Sequence, residues 1–399
     1  MSLGQGFSPD SNTVAVVGTG VVGLATALGC AQLGLQVRLI GPAPRTFDSA
    51  GAGPGAHFDA RIYALSPGAI ALLRRQRAWA QVPGGRTQAV VRMRVFGDDG
   101  AQLQFDALQT GVGVLANICE ETQLLQALWL GCSMAPGVQH IAQSFASASV
   151  DAAGARLYLA DGSTLDCALL LGADGKNSAV RAAAGINAQV TPYGHTAIVA
   201  NFSCERGHGG TAFQWFSDEG VLALLPLPGD YVSIVWSAPT ALAAELQALD
   251  AVAFARRVAQ RSQNVLGTLQ LIDARHAFVL EQLRVDCMVR PGAVLLGDAA
   301  HVVHPLAGQG LNLGLGDVSE FLRLLAQKES WRALNDIVWL RRFERARAEP
   351  IALMRATVGG LARLFAVGDP RVRWLRNFGM RAVEAASPIK HALVRHAIR

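Results

Sequence analysis

The hexapeptide Gly18-Thr19-Gly20-Val21-Val22-Gly23 constrains this chain more than any other feature. It follows an apolar, β-branched run, Val14 to Val17, and opens an apolar, Ala-rich stretch of helical length, Val21 to Leu33. A second strand-like run, Gln36 to Ile40, comes next. Glycines at these three positions permit a tight turn, close approach of backbone to a ligand, and close packing of helix on strand. The helix N-terminus then offers unpaired amides and a partial positive charge, which suit a pyrophosphate. A glycine turn with no ligand is the alternative, and the β-α-β setting makes it the weaker one. The expectation is an N-terminal dinucleotide-binding lobe.

The carboxylate expected at the end of the second strand is missing. Gly41 and Pro42 stand there, with Arg45 nearby, and an Arg would suit the 2′-phosphate of NADP. The segment Gly41 to Phe58 is rich in Gly, Ala and Pro and reads as a long loop, of a length that is usually functional or disordered. A helix follows from Pro67 to Gln76, with Ser66 as N-cap. Arg92 to Phe96 and Ala101 to Phe105 read as a hairpin, and Glu121 to Leu130 as a helix. Arg156 to Leu159 and Thr164 to Leu171 read as two strands joined across Asp161-Gly162. Between Val190 and Trp236, short strands alternate with Gly, Asp and Pro, the pattern of an antiparallel sheet. Beyond Gly308 the chain is largely helical.

At 399 residues the chain is long enough for two lobes. No apolar run reaches bilayer-spanning length, and Met1 to Thr13 lacks the basic and apolar regions of a signal peptide. Six cysteines are scattered without a CxxC pair, which suits buried thiols in a reducing cytoplasm. The net charge of +5 is uneven: Arg341 to Arg399 carries 13 Lys and Arg against 4 Asp and Glu. This basic end includes Arg371, Arg373, Arg376, Arg381, Lys390, Arg395 and Arg399. It reads either as a contact for an anionic partner or as a solvated face. Nucleic acid is the poorer partner, because no recognition motif accompanies the charge.

Two further motifs carry chemistry. Gly172-Ala173-Asp174-Gly175 ends the apolar run Ala168 to Leu171, and Gly297-Asp298-Ala299-Ala300 ends Ala293 to Leu296. After the second comes His301-Val302-Val303-His304-Pro305-Leu306-Ala307-Gly308-Gln309-Gly310-Leu311-Asn312-Leu313-Gly314. A strand-end Asp accepts hydrogen bonds from ligand hydroxyls, and the helix N-terminus beyond it faces electron-rich oxygens. His301 and His304 are expected in structural hydrogen-bonding roles. Spaced i, i+3 they suggest a metal pair, but no third ligand appears at a recognisable spacing, so no metal is expected.

These motifs, in this order, resemble those of the group A flavoprotein monooxygenases. The run from His304 to Gly314 is similar to the signature of the ubiquinone-biosynthesis hydroxylases. Asp59-Ala60-Arg61, Ala212 to Phe216, Gly220 to Leu227, Ser233 to Trp236 and Ser387 to Lys390 extend the likeness over nearly the whole chain. The resemblance implies a Rossmann-type FAD-binding lobe (1–78, 108–186 and 285–330) interrupted by an antiparallel-sheet substrate domain (79–107 and 187–284). Basic C-terminal helices (331–399) follow. It implies FAD held by Gly18, Gly20, Val22, Gly23, Arg61, Asp174, Gly297 and Asp298. It also implies Pro305, Gly308, Gln309, Gly310, Leu311 and Asn312 against the flavin ring. His195, Trp215 and Pro226 are the candidate substrate-pocket residues, and Phe216 and Trp236 read either as pocket or as sheet core.

The implied reaction uses NAD(P)H as transient reductant. Dioxygen adds at the flavin C4a carbon, and the hydroperoxide delivers oxygen to the aromatic ring of a polyprenylated ubiquinone precursor. The cofactor carries the chemistry, so no acid–base constellation is required, and none is evident. Peripheral contact of the basic end with an anionic membrane, and partnership with other ubiquinone-biosynthesis proteins, fit such a substrate. Four positions depart from the family pattern: Gly41 for Glu, Glu121 for Asn, Gln or Arg, His195 for Gln, and Gly316 for a basic or amide residue. A Glu restored at Gly41 is expected to tighten FAD unless the backbone there needs positive φ. Hydroxylation of a small soluble phenol, or a non-catalytic accessory role, stand as alternatives.

Overall fold

The computed structural model describes residues 11–44, 57–97, 100–109, 111–304 and 309–366, together with 371, 376, 377, 379–381 and 384. The strand Thr13–Val17 lies at the centre of a parallel sheet, between Gln36–Ile40 and Leu169–Gly172. Val138–Ile141 and Ala293–Leu295 extend that sheet, and Val289–Arg290 closes one edge antiparallel. Every residue of Thr13–Val17 is buried, because the helix Val21–Gln32 and the antiparallel strand Gly154–Leu159 both pack into the core around this sheet; this explains an apolar run without alternation.

The turn after this strand demands its glycines. Gly18 has φ +113°, and a Cβ there would lie 2.2 Å from the Ala173 carbonyl oxygen. A Cβ on Gly23 would lie 1.9 Å from the Gly18 carbonyl oxygen. The helix Val21–Gln32 can sit this close to the strand only because neither side chain exists. The helix Pro67–Arg75 starts as expected, with the Ser66 hydroxyl accepting from the Ala69 amide at 3.2 Å.

One sequence expectation needs correction. The run Thr164 to Leu171 is not one strand but two, divided at Ala168. Thr164–Cys167 pairs antiparallel with Gly154–Leu159, whereas Leu169–Gly172 crosses into the parallel sheet. Leu169, Leu170 and Leu171 are wholly buried there, which only a strand covered on both faces permits.

The second large sheet holds Ala188–Cys204, Thr211–Ser217, Gly220–Leu227, Tyr231–Pro239 and His276–Val285. The hairpin Arg92–Phe96 with Gln102–Asp106 joins it by parallel pairing to Thr211–Ser217. Side chains alternate across this sheet. One face packs Phe202, Trp215, Trp236 and Phe254 into a core beneath the helices Thr240–Ala248 and Ala251–Arg261. The other face looks toward the parallel-sheet lobe. Trp215 stacks on Phe96, with centroids 5.1 Å apart and planes 5° apart, and lies against Phe213 on its other side. Beyond the sheets run the helices Gln309–Ala326 and Ile337–Ala366.

Gly23→Ala should therefore destabilise the fold by about 1–3 kcal/mol, through forced displacement of helix from strand. Denaturant titration measures this; an unchanged midpoint would contradict the close packing described.

Candidate active site

A cavity of about 860 Å³ lies between the two lobes. Its size falls within the range of roughly 300–1,000 Å³ usual for cofactor and ligand sites. Gly18, Gly20, Val22 and Arg61 line one end, Asp174, Asp298, Gly310 and Leu311 the middle. The second sheet forms the far wall.

The glycine end is built to receive an anion. Gly20 caps the helix Val21–Gln32 without a side-chain hydrogen bond, and no acidic residue stands in the first turn. A Cβ at Gly20 would meet nothing within 4 Å, so the amides behind it face open cavity. Arg61 reaches this region, but its Nη1 donates to Glu121 Oε1 at 3.3 Å. Tyr63 donates its hydroxyl to the same oxygen at 2.9 Å. Burial, and then the Glu121 charge, push the Tyr63 phenol above its ordinary value, so it stays protonated and keeps donating.

Asp298 lines the cavity, and its carboxylate has no hydrogen-bond partner among the described residues. Enclosure by the surrounding walls raises its pKa, and His301 and Arg61 offset part of that rise. Such a carboxylate awaits hydroxyl donors from a ligand. Asp174 is differently engaged: it accepts from the Ser178 hydroxyl at 2.6 Å and from the Val180 amide at 3.1 Å. It thus fixes the start of the short helix Ala179–Ala183.

Several residues named from the sequence stand behind the cavity rather than on it. Gly23 serves helix packing, and Gly297 presses its Cα face toward Val22. The Asn312 amide spans two backbone groups, accepting from Ser66 N and donating to Ala64 O, both at 2.8 Å. Gln309 opens its helix without lining the cavity. Pro305 and Gly308 lie outside the described residues, as does Arg45. Trp215 and Pro226 point away from the cavity, as does Trp236, because strand alternation puts them on the opposite face from Gln214, Ala223 and Val235. His195 is also off the cavity: its Nδ1 lies 2.9 Å from Tyr193 O, and its ring centroid 6.4 Å from that of His304.

The two histidines of the long signature part ways. His301 Nε2 donates to Asp317 Oδ2 at 2.6 Å, the structural role expected of it. His304 does not follow: it is buried, and its Nδ1 has no hydrogen-bond partner among the described residues. Burial, with His195 adding to it, pulls its pKa down to about 4.

No spacing in the chain announces the cluster behind this turn. Asp317 is fully buried and accepts from His301, from Arg347 Nε at 2.7 Å, and from the Gly297 amide at 2.9 Å. Burial alone would raise this carboxyl, yet His301, Arg347 and the amide together hold it below the usual range. A Cβ at Gly316 would come 3.0 Å from Arg347 Nη2. The missing basic residue at 316 is thus replaced by a guanidinium from a later helix. Gly41 also has a local reason: φ is +142°, and a Cβ would crowd Thr19 at 3.1 Å. Glu at 41 is strained there, so the expected gain in FAD affinity from Gly41→Glu is withdrawn.

The basic C-terminal residues Arg373, Lys390, Arg395 and Arg399 lie outside the described residues. Arg376 is 5% exposed and donates to Leu364 O at 2.8 Å, and Arg347 is committed to Asp317, so neither is offered to a partner.

The arrangement has the chemistry of a flavin dinucleotide site: free helix amides and an Arg for pyrophosphate, and an unpartnered carboxylate for ribityl hydroxyls. Residues 114–348 match a family model described as FAD binding domain, which covers more than half of the chain. The chain is 32% identical to 3-demethoxyubiquinol 3-hydroxylase of Escherichia coli, over 96% of this chain and 98% of that one. It is 33% identical to a ubiquinone hydroxylase of Rhodospirillum rubrum, over 96% and 89%. A probable FAD-dependent monooxygenase of Pseudomonas aeruginosa shares the fold, with a TM-score of 0.76 at 22% identity, covering 92% of this chain and 99% of that one. The protein is an FAD-dependent monooxygenase. It belongs to the FAD-dependent hydroxylase family of ubiquinone biosynthesis.

His304 gives a pH test. The unfolded chain takes up this proton near pH 6.5 and the folded chain only near 4. Stability from keeping the ring neutral is therefore full above pH 6.5 and is lost as pH falls toward 4. Denaturant unfolding of the parent should show a loss on the order of 1–3 kcal/mol across that window, and His304→Gln a smaller one. Equal slopes in both proteins would remove His304 from the account.

Proposed function

We propose that this enzyme hydroxylates the aromatic ring of a polyprenylated ubiquinone precursor, with NAD(P)H as transient reductant and FAD held by the cavity residues named above. The observation that carries this reading is that one cavity joins the glycine cradle to an apolar sheet wall. A flavin seated on the cradle and a ring seated on the wall then share one enclosure. The named activities of the relatives, a demethoxyubiquinol hydroxylase and a ubiquinone hydroxylase, support the same class of substrate. Bound and reduced FAD supplies the activation of dioxygen. The chain's own groups bind, orient and exclude water: Gly18, Gly20 and Arg61 toward the pyrophosphate, Asp298 toward the ribityl chain, and the sheet wall toward the ring.

A cavity of this volume that holds a flavin and a ring leaves no room for a long prenyl tail, so the tail leaves through the mouth. Phe278 and Val279 line the cavity there and are 37% and 66% exposed, an apolar lip of the required kind. The decisive experiment supplies NADH or NADPH, dioxygen and a short-prenyl demethoxyquinol to the FAD-loaded protein. Gain of one oxygen atom on the ring is expected; peroxide release with no hydroxylated product would refute the reading.

Two cofactor-affinity outcomes follow from the cradle. Asp298→Ala loses a charge-assisted contact and should weaken FAD roughly ten- to a hundredfold, read by fluorescence titration of the apoprotein. Unchanged affinity in a folded variant would exclude the ribityl role. Glu121→Gln frees Arg61 from a half-exposed ion pair and should tighten FAD by about two- to fivefold. Weaker binding would show instead that Glu121 holds Arg61 in its working position.

A further inference from the structure

The peptide that delivers Arg61 to the cavity takes its hydrogen bonds from side chains. Residues His57 to Ala60 belong to no helix or strand, so no ladder satisfies their amides and carbonyls. The Phe58 amide donates to Asp273 Oδ2 at 3.3 Å, and the Asp59 amide to Glu120 Oε1 at 2.9 Å. Asn201 Nδ2 donates to the carbonyls of Phe58 and Asp59, at 3.3 and 3.1 Å. The His57 carbonyl accepts from Arg86 Nη2 at 3.1 Å. The Asp59 carboxylate in turn accepts from the Thr122 amide and hydroxyl, at 2.7 and 2.6 Å.

These holders come from both lobes. Asn201 lies on Ala188–Cys204, in line with the cavity-lining Ala197 and Val199, and Asp273 sits just before His276–Val285. Both belong to the second sheet. Glu120 and Thr122 stand where the strand Ala116–Glu120 turns into the helix Glu121–Met134, which packs on Val21–Gln32 in the first lobe. The holders also bind one another: Asn201 Nδ2 donates to Asp273 Oδ2 at 3.3 Å, and Arg86 Nη2 to Glu120 Oε1 at 2.6 Å. Arg86 covers the Phe58 ring at 4.9 Å, and Tyr231 of the sheet packs on the same ring at 5.4 Å.

Such an arrangement is costly. Asn201 and Glu120 are each 1% exposed. Burial pushes the Glu120 carboxyl above the ordinary range, and the Asp59 amide and Arg86 offset only part of that rise. An apolar seam of the same volume would be at least as stable without the carboxylates of Asp59, Glu120 and Asp273. What the polar version adds is a fixed place for the peptide. Beyond it, the Arg61 carbonyl accepts from the Glu121 amide at 3.1 Å, and Ile62 enters register with Glu120. Arg61 is therefore held by strand pairing after it and by side chains before it, with its guanidinium on the cavity.

We propose that Asp273 and Asn201, neither of which lines the cavity, are positioning residues for Arg61. They moor the peptide carrying the phosphate-binding arginine to the sheet that walls the cavity. Hydrogen bonds weaken steeply beyond about 3.2 Å, so a small drift of this peptide releases a phosphate oxygen. The inference rests on the reading of Arg61 as a pyrophosphate ligand given above.

The test titrates the apoprotein calorimetrically with FAD and with ADP, which shares the pyrophosphate and lacks the flavin. Arg61→Ala should weaken both by about tenfold, the size of one lost charge-assisted contact, and Asp273→Ala should do nearly the same. Asp273→Asn should stay within about twofold of the parent, because an amide oxygen in the place of Oδ2 accepts the same two hydrogen bonds. Asn201→Thr keeps a strand-forming residue but lacks the amide; it should match Asp273→Ala, and carries the test should that variant fail to fold. In an Arg61→Ala background, either substitution should cost no more than about twofold further, since the grip it serves is already gone. Losses that add in full in that background, or parent-like affinity in Asp273→Ala and Asn201→Thr, overturn the mooring while leaving the Arg61 role standing. So does a loss for FAD with ADP unchanged, which places the disturbance at the flavin end, or an Asp273→Asn loss as large as that of Asp273→Ala. Unchanged binding of both ligands by Arg61→Ala alone overturns the pyrophosphate reading of Arg61 and the mooring with it.

Discussion

The Asp317 carboxylate is the tie on which the rest of the site depends. It is wholly buried, and its three partners come from three places: the Gly297 turn, His301, and Arg347 on the helix Ile337–Ala366. Arg347 also donates to Leu313 O, so the same guanidinium fixes the helix that begins at Gln309. Removing either charge leaves the other buried alone, which is far costlier than losing an exposed pair. The placement of Asp298, one residue beyond Gly297, follows from this cluster. A cavity-facing carboxylate that must stay free for a ligand cannot anchor its own backbone, and Asp317 does that for it.

A division of labour of the same kind runs through the second sheet. One face is filled by aromatic stacking and two helices, and it holds the sheet rigid. The other, carrying Ala197, Val199, Ala223 and Val235, lines the cavity.

Much of this was legible in the sequence because it is local. The glycine turn, the Ser66 cap, the strand-end Asp residues and the antiparallel run all depend on neighbours a few residues away. The face of the second sheet was not legible. Thr211 to Leu227 is apolar at both parities, so alternation could not say whether Trp215 or Gln214 faces the ligand. The size of the tryptophan suggested a pocket, while the fold used it as core. Gly316 looked like a loss until the fold brought Arg347 against it, and no spacing rule links those positions. Gly41 likewise looked like a missing carboxylate, and only its φ shows a backbone that excludes one. The basic C-terminal count treated all charges alike, although Arg347 and Arg376 are spent inside the fold.

The parallel pairing of Arg92–Phe96 with Thr211–Ser217 has a consequence for how the chain is made. The hairpin leaves the ribosome long before its partner strand exists, and Thr13–Val17 likewise waits for Leu169–Gly172. During synthesis both present unsatisfied strand edges, one of them on a segment that is apolar from Val14 to Val17. Neither lobe can close in sequence order, so folding is dominated by distant contacts and is slow for the length of the chain.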